Sequence, residues 1–186
     1  MNRLLKFFKN NWIILSILLV GFFLLVYKPF ELFMYTHDQD LAGWLVKDVL
    51  INHHFRLIGQ QTSSMGIFIG PVIYYLQIPF YLIANMDPAG PLALAVILGV
   101  FTIFSFYYVF SKVFNKRVGL LSALIYSLSV VIVFTDRDMN PTMPVMLWTV
   151  WYFYSLWKIL KGNQKFYILI GFLFGLIWDL NLALAI

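Results

Sequence analysis

Cysteine is absent from this 186-residue chain. That excludes a disulfide framework, a thiolate metal site and a thiol nucleophile. Charge is scarce as well: only 11% of residues are Asp, Glu, Lys or Arg, where a soluble domain carries about a quarter. With 62% hydrophobic residues and a mean hydropathy of +0.84, little is left to cover a surface that faces water on all sides. Lipid can solvate such a surface. The sequence also has no glycine-rich phosphate loop, zinc-ligand spacing or nucleophile elbow. A net charge of +5 raises the question of nucleic acid. The cations are dispersed in short patches between apolar runs, with no basic stripe among aromatics, so nucleic acid is not an expected partner.

What is present is a series of apolar runs. A membrane span needs about 20 mostly apolar residues. Five runs fit: about 11–27, 91–110, 118–134, 143–158 and 166–186. Trp and Tyr gather near their ends, as interface-anchoring rings do. The first run follows a basic N-terminus but has no small-residue cleavage site before Lys28-Pro29, so it reads as an uncleaved helix rather than a signal peptide. A sixth stretch, 67–84, carries Pro71, Pro79, Gly70 and Gln77. Its prolines remove backbone donors, and that backbone must be satisfied by protein rather than lipid.

Charge settles the expected topology. Arg3, Lys6 and Lys9, then Lys112, Lys116 and Arg117, then Lys158, Lys161 and Lys165 form three basic patches without an acid. Positive loops stay on the cytoplasmic side, so an even number of crossings must separate Lys9 from Lys112. Runs 11–27 and 91–110 supply two, which makes 67–84 re-entrant or interfacial. Residues 28–90 then form one external segment, with a surface helix over about 39–55 lying along the membrane. The expected fold is all-α: a multi-pass transmembrane helical bundle, N-terminus cytoplasmic, with an external loop containing an interfacial amphipathic helix. Seven of the eight acids (Glu31, Asp38, Asp40, Asp48, Asp87, Asp136 and Asp138) fall outside. The chain stops at Ile186 inside an apolar run, as expected of an N-terminal piece of a longer protein, inactive alone.

Two polar constellations share that external face. The first is Tyr35-Thr36-His37-Asp38-Gln39-Asp40. Its carboxylates suit proton abstraction from a hydroxyl or cation binding, and equally the capping of the surface helix. The second is Thr135-Asp136-Arg137-Asp138-Met139-Asn140-Pro141. It suits a phosphate or sugar, with Arg as the phosphate partner, and also reads as a plain solvated turn. Gln60, Gln61, Thr62, Ser63 and Ser64 suit sugar hydroxyls or an ordinary turn. His53 and His54 are adjacent and diverge by about 100° on a helix, which argues against a shared metal. Asp179 and Asn181 lie within an apolar run, where ionisable groups are functional or paired inside the bundle.

The order of these segments resembles a known family. A first helix leads to DQD and a surface helix, then to LIGQQTSSMGIFIGPVIYYL, and after two further runs to DRDMNPTMPVML. This resembles the GT-C membrane glycosyltransferases, in particular bacterial relatives of the dolichyl-phosphate-mannose protein mannosyltransferases. The resemblance implies transfer of a sugar from a polyprenyl-phosphate donor to a lipid, glycan or protein hydroxyl at the external face, without a metal or other cofactor. It implies that Asp38 is the catalytic base, with Asp40 as a substitute because the next family position, commonly Glu, is Gln39 here. It implies that Asp136, Arg137, Asp138 and Asn140 form the second polar loop of the site. Where some relatives have a lysine before the proline that Pro71 matches, this chain has Gly70. Arg137 and Arg56 are then the candidate phosphate partners, and Gln61 a further substrate contact. A transporter or lipid flippase is the competing expectation. It requires charges or broken helices at mid-membrane, and Asp179 is the one acid inside a run.

Overall fold

The structure is a computed structural model that describes residues 2–33, 35–62 and 64–181. It is all-helical, with no strand among the described residues apart from one isolated bridge between Gln61 and Phe68. The helices are α1 (Asn2–Val26), α2 (Pro29–Leu32), α3 (His37–Asn52), α4 (Val72–Ile83), α5 (Gly90–Val113), α6 (Lys116–Leu128), α7 (Val130–Thr135), α8 (Val145–Leu160) and α9 (Phe166–Leu180).

Several boundaries differ from the sequence expectation, each for a local reason. The run expected at 118–134 is two helices, because Ser129 adopts an extended conformation (φ −68°, ψ 116°) between α6 and α7. The helix expected over about 39–55 begins at His37, just after Thr36, and ends where His53 turns left-handed (φ 56°). The expected run 166–186 continues past α9 into 182–186, outside the described residues, as Ser63 is. Among the described residues only α5 is long and apolar enough to cross a membrane by length and composition, while 11–26, α4 and α9 are shorter apolar helices. The 12 residues of α4 rise about 18 Å at 1.5 Å each, short of the ~30 Å hydrocarbon core.

α5 is the central helix and packs against α1, α4, α6 and α8. Gly119 lets α6 approach closely, since a Cβ there would meet the Tyr107 carbonyl and the Ser111 side chain. Leu25 touches Gly99 and Ile103 lies at Gly21, so α1 and α5 run antiparallel. Trp151 Nε1 donates to Ser105 Oγ at 3.1 Å and Phe153 stacks on Phe110, so α8 runs parallel to α5. Trp148 Nε1 donates to the Leu173 carbonyl at 2.6 Å, while Tyr154 meets Phe166 edge-on, which pairs α8 with α9. This alternation sends the basic 112–117 and 158–165 turns to one end of the bundle. The ends of α1 and α9, the start of α4 and the 136–144 loop gather at the other.

That second end holds the largest core. Leu25 of α1, Ala42 and Leu45 of α3, Ile73 and Tyr74 of α4, Ala95 of α5, and Met139 and Met143 of the loop pack together. Elsewhere many large apolar side chains stay exposed, among them Phe22, Phe101, Ile125, Val131, Ile168 and Phe172.

Candidate active site at the acidic end of the bundle

The first acidic constellation is organised by the start of α3. Gln39, three residues after the N-cap Thr36, reaches back so that its Oε1 accepts from the Thr36 backbone N–H at 2.7 Å. This is half of a capping box, and it satisfies an amide that the helix cannot. The helix is thus capped by Thr36 and Gln39, not by the aspartates. Asp38 and Asp40 are two residues apart, about 200° around the helix, and face different surroundings. Asp40 accepts from the Tyr35 hydroxyl at 3.2 Å and lines a groove of about 520 Å³ between α3 and α4, with Trp44, Lys47 and Tyr81. Asp38 is half-buried on the other side, and no described residue hydrogen-bonds its carboxylate.

The second constellation folds onto the first. Asp138 accepts from Gln39 Nε2 on one oxygen and from Asn140 Nδ2 at 2.8 Å on the other. The Gln39–Asp138 bond joins positions 99 residues apart. Burial pushes the Asp138 carboxyl above its ordinary range. The negative charge of Asp38 pushes the same way, while the Asn140 and Gln39 amides oppose both. Asn140 also anchors the turn, its Oδ1 accepting from Thr142 N at 2.9 Å.

Asp136 and Arg137 point elsewhere. Asp136 is 4% exposed, and both its oxygens accept from the Tyr126 hydroxyl, at 3.1 and 3.0 Å. Burial pushes its carboxyl up to about 6, with the Tyr126 hydrogen bond opposing. Arg137 is 3% exposed, and its Nη2 donates to the carbonyls of Tyr27 at 2.8 Å and Lys28 at 3.3 Å. A cation at the carbonyl end of a helix is favourable, so Arg137 ties the loop to the end of α1. Its buried Nε has no hydrogen-bond partner among the described residues.

The remaining expected residues lie away from this cluster. Arg56 grips Asp48 through Nε and Nη2, at 3.0 and 2.9 Å. Asn52 and Arg56 together hold the Asp48 carboxyl below its ordinary range, with His54 adding to the effect. Gln61 is exposed on a hairpin closed by Gly59 N to Ile69 O (2.7 Å) and Thr62 N to Ile67 O (2.8 Å). It is Gln60 whose side chain is used, accepting from the Tyr74 hydroxyl at 3.1 Å. No group of three or more metal-ligating side chains occurs among the described residues.

Asp179 has a local task. Its Oδ1 accepts from Val72 N at 3.1 Å, and Gly70 N donates to the Trp178 carbonyl at 2.9 Å. The end of α9 therefore caps the start of α4. Position 70 must be glycine for this, because a Cβ would overlap the Asp179 carboxylate.

The model of the dolichyl-phosphate-mannose-protein mannosyltransferase family matches residues 69–180. The chain belongs to this family. No curated protein and no solved structure matches it. The matched segment of this glycosyltransferase family opens at Ile69 and closes at Leu180, and the Gly70–Trp178 and Val72–Asp179 bonds bring those two ends together. Asp138 and Asn140 lie inside it, whereas Asp38 and Gln39 reach it from before its first residue.

Proposed function

We propose that the acidic end of this bundle is the reaction face of a membrane glycosyltransferase. It moves a sugar from a polyprenyl-phosphate donor to the hydroxyl of a lipid, glycan or protein acceptor. The observation that supports the reading is the Gln39–Asp138 bond, which joins the two acidic segments and leaves Asp38 near enough for its charge to act on Asp138. Asp38 is the general base. Its carboxylate is uncommitted among the described residues, while Asp40 is engaged by Tyr35 on the far face of α3.

In this reading Asp38 takes the proton of the acceptor hydroxyl as its oxygen attacks the anomeric carbon. The bond from that carbon to the phosphate oxygen breaks, and polyprenyl phosphate leaves with the electron pair. Attack opposite the leaving group inverts the anomeric centre. A positioned base contributes about 10²–10⁴-fold. Asp138 and Asn140 hold the sugar. Of the two arginines, Arg56 is the one that can exchange its carboxylate partner for the departing phosphate, because its guanidinium is half-exposed, and it would have to reach the cluster from its place beside Asp48. Arg137 is committed to the α1 carbonyls and acts by fixing the loop.

The bundle crosses the membrane several times, with the basic turns cytoplasmic and the acidic end external. The lysines and arginines at one end and the exposed apolar side chains along α1, α5, α6, α7 and α9 support this reading. The transporter reading loses its main support, because Asp179 serves as a helix cap.

One experiment tests both chemistry and side. Full-length protein in sealed vesicles of either orientation is given dolichyl-phosphate mannose as donor, and transfer to a membrane-impermeant acceptor is followed. Asp38→Asn is expected to lower transfer about 10²–10⁴-fold, and wild-type transfer is expected only where the acidic end faces the acceptor. Full activity in D38N removes Asp38 as base. Transfer confined to the other orientation reverses the topology.

A further inference from the structure

Gln39 is 2% exposed, and its amide is used from both ends. Oε1 accepts from the Thr36 backbone N–H at 2.7 Å and from the Thr36 hydroxyl at 2.5 Å. Nε2 donates to Asp138 Oδ1. A backbone N–H only donates, so it holds the amide oxygen on the Thr36 side and turns the NH₂ toward Asp138. The Tyr81 hydroxyl donates to the Gln39 carbonyl at 3.5 Å, adding a contact from α4.

The partner is bracketed in the same sense. One Asp138 oxygen receives the Gln39 amide and the other the Asn140 amide. Two donors on a carboxylate favour its ionised form, and they oppose the burial and the Asp38 charge that act on it. A glutamate at this position could accept from Thr36 but could not donate to an ionised Asp138. An alanine could do neither. Only a side chain with an acceptor and a donor on one rigid plane closes both contacts, and glutamine is long enough to reach back to the N-cap.

We propose that Gln39 is a positioning residue whose amide locks the start of α3 to the 136–142 loop and so sets the spacing of Asp38 and Asp138. Asp38 precedes it in the same helical turn, and its side chain has no other described tether. The bridge therefore fixes how the candidate base sits relative to the second carboxylate. This rests on the glycosyltransferase reading only for its consequence in catalysis. The bridge itself is tested without any substrate.

The test is a reciprocal exchange in the full-length protein in lipid nanodiscs, with melting read at pH 5 and pH 8. Q39E sets two carboxyls face to face, so one keeps a proton and its folded-state pKa rises. That stability is present at low pH and is lost as pH rises through the raised value. The expected Tm of Q39E is near wild type at pH 5 and about 5 °C lower at pH 8. D138N alone is expected to lower Tm at both pH values, and no more at pH 8 than at pH 5, because the raised carboxyl it removes is itself less favourable at the higher pH. The double variant Q39E/D138N reverses the bond. Its introduced carboxylate still accepts from Thr36 and now also from the introduced amide, whose oxygen accepts from Asn140. The Tm of the double variant at pH 8 is expected to recover at least half of the Q39E loss. A wild-type Tm for Q39E at pH 8 overturns the proposal, as does a double variant whose loss is the sum of the two single losses. Mannose transfer from dolichyl phosphate is read in parallel. Recovered melting with transfer still absent supports the bridge and makes the Asp138 charge part of the chemistry. Absent transfer in wild type, with the exchange behaving as expected, fails the glycosyltransferase reading and leaves the bridge standing.

Discussion

The two ends of the bundle are held by different means. At the basic end the connections are short and the contacts local. Asn115 caps α6 by accepting from Arg117 N and Val118 N, at 3.0 and 3.1 Å. Lys158 lies over the rings of Tyr154, Trp157 and Phe166, and Lys112 over Tyr108. At the acidic end the bonds that matter join segments about 100 residues apart: Gln39 to Asp138, Arg137 to Tyr27 and Lys28, Asp179 to Val72. One end needs only its own turns to form. The other assembles when the whole bundle has closed, which is where a site drawn from several loops on a fixed scaffold belongs.

If that contrast is right, the largest stability effect comes from cutting a long-range bond. Arg137→Met removes two charge-assisted bonds to the end of α1, each worth about 1.5–3 kcal/mol, and leaves two carbonyls unpaired. Relief of the desolvated guanidinium and its unpartnered Nε offsets part of this. The expected net loss is about 3–4 kcal/mol, measured by denaturation in micelles. A loss below about 1 kcal/mol would mean that the loop is held by its apolar residues, Met139 and Met143, alone.

The next effect in size sits at Asp136. Its carboxyl is buried, and its folded value is raised to about 6 from the ordinary 3.8. A raised folded value means that stability is complete below about pH 4 and is lost as pH climbs through about 6. The loss is on the order of 2–3 kcal/mol. Asp136→Asn keeps an acceptor for the Tyr126 hydroxyl and cannot ionise, so its stability should stay level across that window. A slope as steep as in the wild type would assign the pH dependence to another group.

Much of this was readable from residue order, and the unreadable part has a physical pattern. Apolar runs located the helices because burial and lipid both select for them, and the proline and glycine content marked 67–84 as unlike the other runs. The division of α6 from α7 escaped, because Ser129 is neither glycine nor proline and carries no breaker signal. Gln39 reads in the sequence only as a departure from the family's usual Glu, between two carboxylates that draw the chemistry to themselves. The spacing Thr36-x-x-Gln39, a capping-box signature, was the signal that could have found it. Its second bond, to Asp138, had no local signal. The same holds for Asp179, whose partner Val72 lies 107 residues earlier, and for Arg137, whose guanidinium suited phosphate in the sequence and meets carbonyls in the fold. Local rules mark helix starts and stops. They are silent on bonds that exist only after packing.

The smallest expected effect is the control on the comparison. Lys158 is within 5.4 Å of the Tyr154 ring centroid, 5.2 Å of Trp157 and 6.0 Å of Phe166. Such contacts contribute about 0.5–1 kcal/mol at accessible sites, and Trp157 and Phe166 keep their packing against Val109, Val150 and Tyr154 without the cation. Lys158→Gln should therefore cost less than about 1 kcal/mol and leave transfer unchanged, since its turn lies at the far end from Asp38. Equal losses in Lys158→Gln and Arg137→Met would mean that the two ends are equally dependent on their charges. The distinction between a locally built end and one assembled over long range would then fail.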